Sequence, residues 1–193
     1  MTSPPKEQDV IDILVTDHRE VEELFIELES GLVDGEERRR VTDVVIAELI
    51  RHAVAEETYV YPAARKALPD GDELAEHEIA EHADAEQTMK DLEGLAVEDP
   101  QFDAKLTHLI TTIRHHVQDE ETDLFPRLRQ ACSTEELQAL GKKVEAIKKF
   151  APTRPHPSAP DRPPLNKLMG PGAGLVDRLR DALSKRPTSI EDL

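Results

Sequence analysis

His52 and Glu56 stand four residues apart, and so do His116 and Glu120. Residues i and i+4 of a helix share a face one turn apart, so each pair can present an imidazole nitrogen and a carboxylate oxygen to one metal ion. One such pair arises by chance in any helix rich in His and Glu. Here the whole phrase recurs: His52-Ala-Val-Ala-Glu56-Glu57-Thr58-Tyr59-Val60-Tyr61-Pro62 is answered 64 residues later by His116-Val-Gln-Asp-Glu120-Glu121-Thr122-Asp123-Leu124-Phe125-Pro126. The His, both Glu, the Thr and the Pro keep their offsets. His18 is followed at the same interval by His82, each with an acid before it (Asp17, Glu81) and a Glu four residues after it (Glu22, Glu86). The chain therefore reads as two copies of a two-helix unit.

Four neutral imidazoles and two carboxylates, His18, His52, Glu56, His82, His116 and Glu120, suit a first-row transition metal such as iron better than calcium or magnesium. Two carboxylates can bridge two ions, with two histidines for each ion and positions left open to water, oxide, dioxygen or peroxide. The competing reading is a metal-free polar layer that sets the register of a bundle. A two-fold-repeated set of six favours metal, because imidazoles and carboxylates on a buried seam are expensive unless paired or ligating. Di-iron bundles of the ferritin type use Glu-x-x-His, so the His-x-x-x-Glu order argues against that relative.

The elements that must position these residues are long helices. Ile11, Leu14, Val21, Phe25 and Leu28 follow a helical seam over about 7–30, and His18 fills its missing slot. A second helix is expected over about 36–68, a third over 72–95 and a fourth over 102–132, with polar residues again on the buried stripe. Pro62 should distort the last turns of the second. Ser133-Thr-Glu-Glu136 opens a short fifth helix, to about 149. The expected architecture is all-α: an up-down-up-down four-helix bundle with a short fifth helix and a Pro-rich C-terminal tail. Its parts are a disordered lead (1–6), the bundle (7–150) and an extension (151–193). In the extension, Ala151–Pro164 holds six prolines and reads as an unpacked linker; 166–174 reads as irregular; Leu175, Val176, Leu179 and Leu183 then mark a short amphipathic helix over about 174–185.

Composition agrees. Hydrophobic residues make up 38%, charged residues 34% and aromatics 3%, a balance that favours amphipathic helices. A net charge of −17 repels nucleic acid and anionic membrane, so neither is expected as a partner. The one cysteine, Cys132, excludes an intramolecular disulfide and Cys-rich metal sites. No leader-like apolar stretch and no run of 18 apolar residues is present, so the expected location is cytoplasmic. The tail is mildly basic beside an acidic body, which suits docking back on it, homodimer formation or docking of a partner.

The pattern His18; His52…Glu56; His82; His116…Glu120, with its two His-x-x-x-Glu-Glu-Thr-x-x-x-Pro phrases, resembles the hemerythrin-like proteins of the HHE cation-binding domain family over about residues 8–130. The tail resembles an extension common among actinobacterial members. The resemblance implies a four-helix bundle holding two non-haem iron ions, oxo- or hydroxo-bridged, that bind O2, peroxide or NO. It implies a binding protein for O2 or a related diatomic, or alternatively a peroxide-decomposing (catalase-like) enzyme, or an iron, oxygen or redox sensor. Oxygen-carrying hemerythrins use five histidines and an aspartate; four histidines and two glutamates here shift the expectation from reversible carriage toward reaction. Tyr61, whose repeat partner is Phe125, is a candidate ligand or redox-active neighbour, brought to the site if Pro62 distorts its turn. Glu57 and Glu121 are expected to bond ligand imidazoles; Glu22 and Glu86 could do so or ligate. His77, His108 and His156 read as solvated or irrelevant, His115 as an outer neighbour of the site and Cys132 as structural.

Overall fold

The structure, a computed structural model, describes residues 8–158 and 165–193, with backbone alone for 165–171. The expected lead (1–6) and the last part of the expected linker (159–164) lie outside the described residues. Helix α1 (Val10–Glu29) is followed by α2 (Gly35–Ala55), which passes without a break through a π-helical turn (Glu56–Val60) into α3 (Tyr61–Ala67). Helix α4 (Gly71–Gly94) leads to α5 (Pro100–Asp119), and a second π-helical turn (Glu120–Leu124) joins it to α6 (Phe125–Ala131). Then come α7 (Thr134–Lys148), α8 (Leu165–Ser184) and a closing 3-10 turn (Ile190–Asp192). No strand occurs among the described residues. None of their helices is long and apolar enough to cross a membrane.

Local chemistry sets the boundaries. Asp9 caps α1 by accepting from the backbone N–H groups of Ile11 and Asp12. Gly31 (φ 70°) and Gly35 (φ 48°) supply the left-handed backbone that turns the chain into α2. Ser133 and Glu136 form a reciprocal capping box at the start of α7. The prolines have a specific effect. Pro62 and Pro126 cannot donate, and their rings would strike the carbonyl one α-turn back. The helix widens ahead of each: Tyr61 N–H donates to the Glu56 carbonyl and Phe125 N–H to the Glu120 carbonyl, an i→i−5 bond in both.

Consecutive rods run antiparallel. The Arg38 guanidinium at the start of α2 reaches the Leu28 carbonyl at the end of α1, and Lys105 at the start of α5 pairs with Asp91 near the end of α4. Arg129 at the end of α6 pairs with Asp9 and Asp12 at the start of α1, which closes the ring of four. Apolar side chains form two clusters. One holds Phe25, Val45, Leu92 and Leu109; the other holds Leu14, Tyr61, Leu124 and Phe125, with Leu137 and Val144 of α7. The layer of sequence between them carries His18, His52, Glu56, His82, His116 and Glu120, all buried.

The extension departs from expectation in three ways. The described part of the supposed linker is packed: Ala151 and Thr153 are buried. The backbone of 166–174, read as irregular, is helical, and α8 starts at Leu165, about nine residues earlier than the sequence suggested. Helix α8 also turns its polar side inward. Asp177 and Asp181 are buried, whereas Leu175, Val176, Leu179 and Leu183 are exposed. The cause is the basic strap beneath: Thr153 and Arg154 donate to Asp177 and Asp181, and buried Arg186 pairs with Asp181 and Asp43. Arg154 also pairs with Glu93 of α4, and Arg51 donates to the Thr188 carbonyl. The basic tail thus docks on the acidic bundle through ion pairs.

A Cβ at Gly174 would collide with the carbonyl oxygen of Phe150. Gly174→Ala should therefore weaken the seating of α8 by about 1–3 kcal/mol. Limited proteolysis should cut the variant in its extension faster than the parent while the bundle keeps its helical signal.

Candidate metal centre

The π-helical turns decide what faces inward. An α-helix would rotate residue i+5 well off the face of residue i, but a π turn brings it back. Tyr61 therefore lies over Glu56, its hydroxyl 3.5 Å from Glu56 Oε2, 3.2 Å from Glu120 Oε1 and 3.2 Å from His82 Nε2. The expected distortion at Pro62 is real, and it delivers Tyr61, fully buried, to the cluster. At the equivalent place Phe125 stacks on His18 with ring centroids 5.8 Å apart.

The six residues singled out by spacing converge. His18 Nε2 lies 3.2 Å from His52 Nε2, and His82 Nε2 lies 3.0 Å from His116 Nε2. The carboxylates span these two pairs. Glu56 reaches His52 at 3.2 Å through Oε1 and His82 at 3.5 Å through Oε2. Glu120 Oε2 lies 3.4 Å from His18 and 3.6 Å from His116. Ligand atoms of His18, His52, Glu56 and Glu120 fall within 4.8 Å of one another, and so do those of Glu56, His82 and His116.

Every imidazole is held from behind by a carboxylate. His52 Nδ1 lies 3.0 Å from Asp17, His116 Nδ1 3.0 Å from Glu81, His18 Nδ1 2.8 Å from Glu121 and His82 Nδ1 3.1 Å from Glu57. A carboxylate accepts, so each Nδ1 donates and each Nε2 is turned to the centre, where it offers a lone pair when the ring is neutral. Glu57 and Glu121 do what the sequence suggested. Asp17 and Glu81 were visible only as the acids preceding His18 and His82; each serves the histidine of the neighbouring helix instead. Glu22 and Glu86 stand away from the cluster: Glu22 pairs with Arg114, and Glu86 accepts from the His156 backbone. His115, two-thirds exposed, faces Glu81 and Asp119, and His77 faces Glu81. Glu78 was missed altogether. It is buried, with Oε2 3.0 Å from His116 Nδ1, and with His116 and Glu120 makes a third group of candidate ligands. Burial, reinforced by Glu120 and Glu81, raises its pKa. Its repeat partner is Leu14, so the 64-residue offset could not reveal it.

Acceptors outnumber donors at the centre. Buried Glu56 Oε1 and Glu120 Oε2 have no hydrogen bond among the described residues. Positive charge must therefore enter the layer, and the titration pattern shows where. Burial opposes charge on His52, but Glu56 and the bond to Asp17 lift its pKa to about 10. Burial opposes charge on His116 too, but Glu120, Glu78 and Glu81 raise its pKa well above the ordinary value. Burial and the charge on His116 push His82 down to about 4. His52 and His116 are thus the imidazoles that favour the charged form when no ion is bound. Burial would raise Glu120, yet His116 and His18 hold it below the usual carboxylate range. Burial and the facing Glu120 and Glu56 carboxylates raise the Tyr61 phenol far above its ordinary value, so it stays neutral.

Comparisons with known proteins agree with this chemistry. The family model of the hemerythrin HHE cation binding domain matches residues 9–128. A hemerythrin-like protein of Schizosaccharomyces pombe is 32% identical over 179 residues, covering 92% of this chain and 88% of its own length. A match of that extent takes in part of the extension as well as the bundle. A DNA nickase of Nostoc sp. is 25% identical over 146 residues, 76% of this chain but 41% of the longer protein. The crystal structure of a hemerythrin HHE cation binding domain-containing protein from Mycobacterium kansasii superposes with a TM-score of 0.64 at 24% identity, covering 74% of this chain and 86% of that one. The chain belongs to the hemerythrin HHE cation-binding domain family.

Removing one supporting carboxylate should loosen the centre without touching a ligand candidate. Glu81→Gln is expected to lower metal affinity about 10- to 100-fold. Competition against a chelator measures this; unchanged affinity would show that Glu81 does not orient His116.

Proposed function

We propose that the buried layer holds two iron ions, one against His18 and His52 and the other against His82 and His116, with Glu56 and Glu120 spanning them, and that the protein binds O2 or a related small diatomic there. The observation that carries this reading is the pair of carboxylates, each within reach of both histidine pairs and each keeping a buried oxygen without a hydrogen bond. The donor set of imidazole nitrogen and carboxylate oxygen fits iron. Such a pair of ions, when bound, supplies open coordination positions and redox electrons to a diatomic ligand.

The chain's own contribution is positioning and proton control. Asp17, Glu57, Glu81 and Glu121 fix four Nε2 lone pairs inward. The apolar cluster around Leu14, Leu124 and Phe125 excludes water on one side of the layer. The neutral Tyr61 hydroxyl is a fixed proton donor on one side only, since Phe125 occupies the other. That asymmetry favours a second reading, decomposition of peroxide, in which Tyr61 would hydrogen-bond the oxygen being released.

Anaerobic loading should give two irons per chain and raise Tm, because an ion that binds only the folded state stabilises it, by about 4 kcal/mol at a thousandfold excess over Kd. His116→Ala should lower the iron content. Reversible spectral change of the reduced protein on exposure to O2 supports diatomic binding. Irreversible oxidation, with oxygen evolved from peroxide and lost in Tyr61→Phe, supports the enzyme.

Loading must also displace the extra protons that His52 and His116 favour. Calorimetry at pH 7 in buffers of different ionisation enthalpy should show about two protons released per chain. The share of that release that comes from His52 should disappear as pH rises through its value of about 10. Loading without proton release would contradict the assignment of those protons.

A further inference from the structure

The centre does not end at the histidines. A cavity of about 770 Å³ opens from His18, His52, His82 and His116 and runs to the proline-rich strap of the extension. Its walls are Val21, Phe25, Leu49, Ile50, Met89 and Ile113, contributed by α1, α2, α4 and α5. On its far side stand Pro152, Pro155, Pro157 and Ala173. A diatomic needs no more than roughly the 30 Å³ share of one water molecule. The space instead matches the range of organic-ligand pockets, roughly 300–1,000 Å³ with mostly apolar walls. Leaving such room in a bundle forfeits packing contacts that larger side chains would have made.

The roof is built and fastened. Proline has no backbone N–H, so Pro152, Pro155 and Pro157 present carbon to the cavity without adding donors that would need partners. The strap is tied on both sides: the His156 backbone N–H donates to Glu86 of α4 at 2.7 Å, and His156 Nε2 lies 2.9 Å from Asp177 of α8. Arg154, next in the strap, is held by Glu93 and Asp181. This gives α8's inverted orientation a purpose: its carboxylates hold the strap over the cavity.

We infer that this cavity is a binding site for an apolar organic molecule with an anionic head, of the size and chemistry of a medium-chain fatty acid, its carboxylate toward the histidine floor and its chain beneath the proline roof. The walls recognise the chain. The floor orients the head: it is where cations belong under the two-ion reading, whereas the prolines of the roof have no N–H to donate to a carboxylate. The orientation of the head rests on the two-ion reading; the cavity itself does not.

The test uses the full chain, metal-free and iron-loaded, with decan-1-ol and decanoate as probes in titration calorimetry and metal analysis run alongside. Decan-1-ol is expected to bind one equivalent per chain in both forms. Decanoate should bind the loaded form about tenfold or more tighter than the metal-free form. Ala85→Phe, at a lining residue of α4 one turn from His82, and, two turns from the floor, Met89→Trp fill the cavity and should abolish binding while iron content stays normal. Leu183→Glu, on the exposed face of α8, should leave binding unchanged. Absence of decan-1-ol binding to either form, or binding that survives both filling variants, overturns the site. Decan-1-ol binding with no preference of decanoate for a form shown to contain iron overturns the head orientation alone. Failure to load iron while decan-1-ol still binds identifies the metal reading as the part at fault.

Discussion

An excess of hydrogen-bond acceptors in a dry layer is the constraint on which the rest of the structure depends. Four imidazoles present lone pairs because carboxylates claim their other nitrogens, and two more carboxylates lie fully buried among them. In a low-dielectric interior such a set is tolerable only with positive charge at its centre. Protons on His52 and His116 serve in the absence of metal. A metal cation serves better, since it satisfies several acceptors at once. The outer carboxylates, the apolar clusters above and below, and the π turns that admit Tyr61 all act by fixing this arrangement.

The two-fold repeat explains how so short a bundle assembles the set. Each half supplies a histidine from its first helix and a His-x-x-x-Glu pair from its second. Bracing then crosses: Asp17 of α1 supports His52 of α2, while Glu121, beyond α5, returns to support His18 of α1. The same exchange in the other half links Glu81 with His116 and Glu57 with His82. None of α1, α2 with its π turn, α4, and α5 with its π turn can be removed without leaving a histidine unbraced and a carboxylate without its histidine donor. Symmetry fails at two places, Tyr61 against Phe125 and Glu78 against Leu14. Both exceptions fall beside the His82–His116 pair, so the two halves of the centre are chemically distinct.

Much of this was legible in the sequence because repetition turns spacing into a test. His18, His52, Glu56, His82, His116 and Glu120 stand on helical seams at matching offsets, and only convergence in one interior satisfies all six. Tyr61 was legible through Pro62, since a proline in a helix demands a local change of winding. Glu78 was not, because a lone Glu in an acid-rich helix carries no signal until its neighbours in space are known. Asp17 and Glu81 stood in plain view, but their partners lie on neighbouring helices. The extension misled for a related reason. Six prolines read as an unpacked linker, and an amphipathic helix reads as one that buries its apolar stripe. The ion pairs of Arg154 and Arg186 with Glu93, Asp43 and Asp181, and the bonds of Asp177 to His156 and to the strap backbone, outweighed both tendencies, and pairing between distant segments leaves no periodic trace.

The central claim is that cations occupy the space between the two histidine pairs. Anomalous diffraction from crystals of the anaerobically iron-loaded protein, recorded on both sides of the iron absorption edge, tests it directly. The account requires two peaks per chain, one beside the Nε2 atoms of His18 and His52 and one beside those of His82 and His116, with Glu56 and Glu120 reaching both. A protein that holds stoichiometric iron elsewhere, or shows those six side chains bonded only to one another and to water, would contradict it.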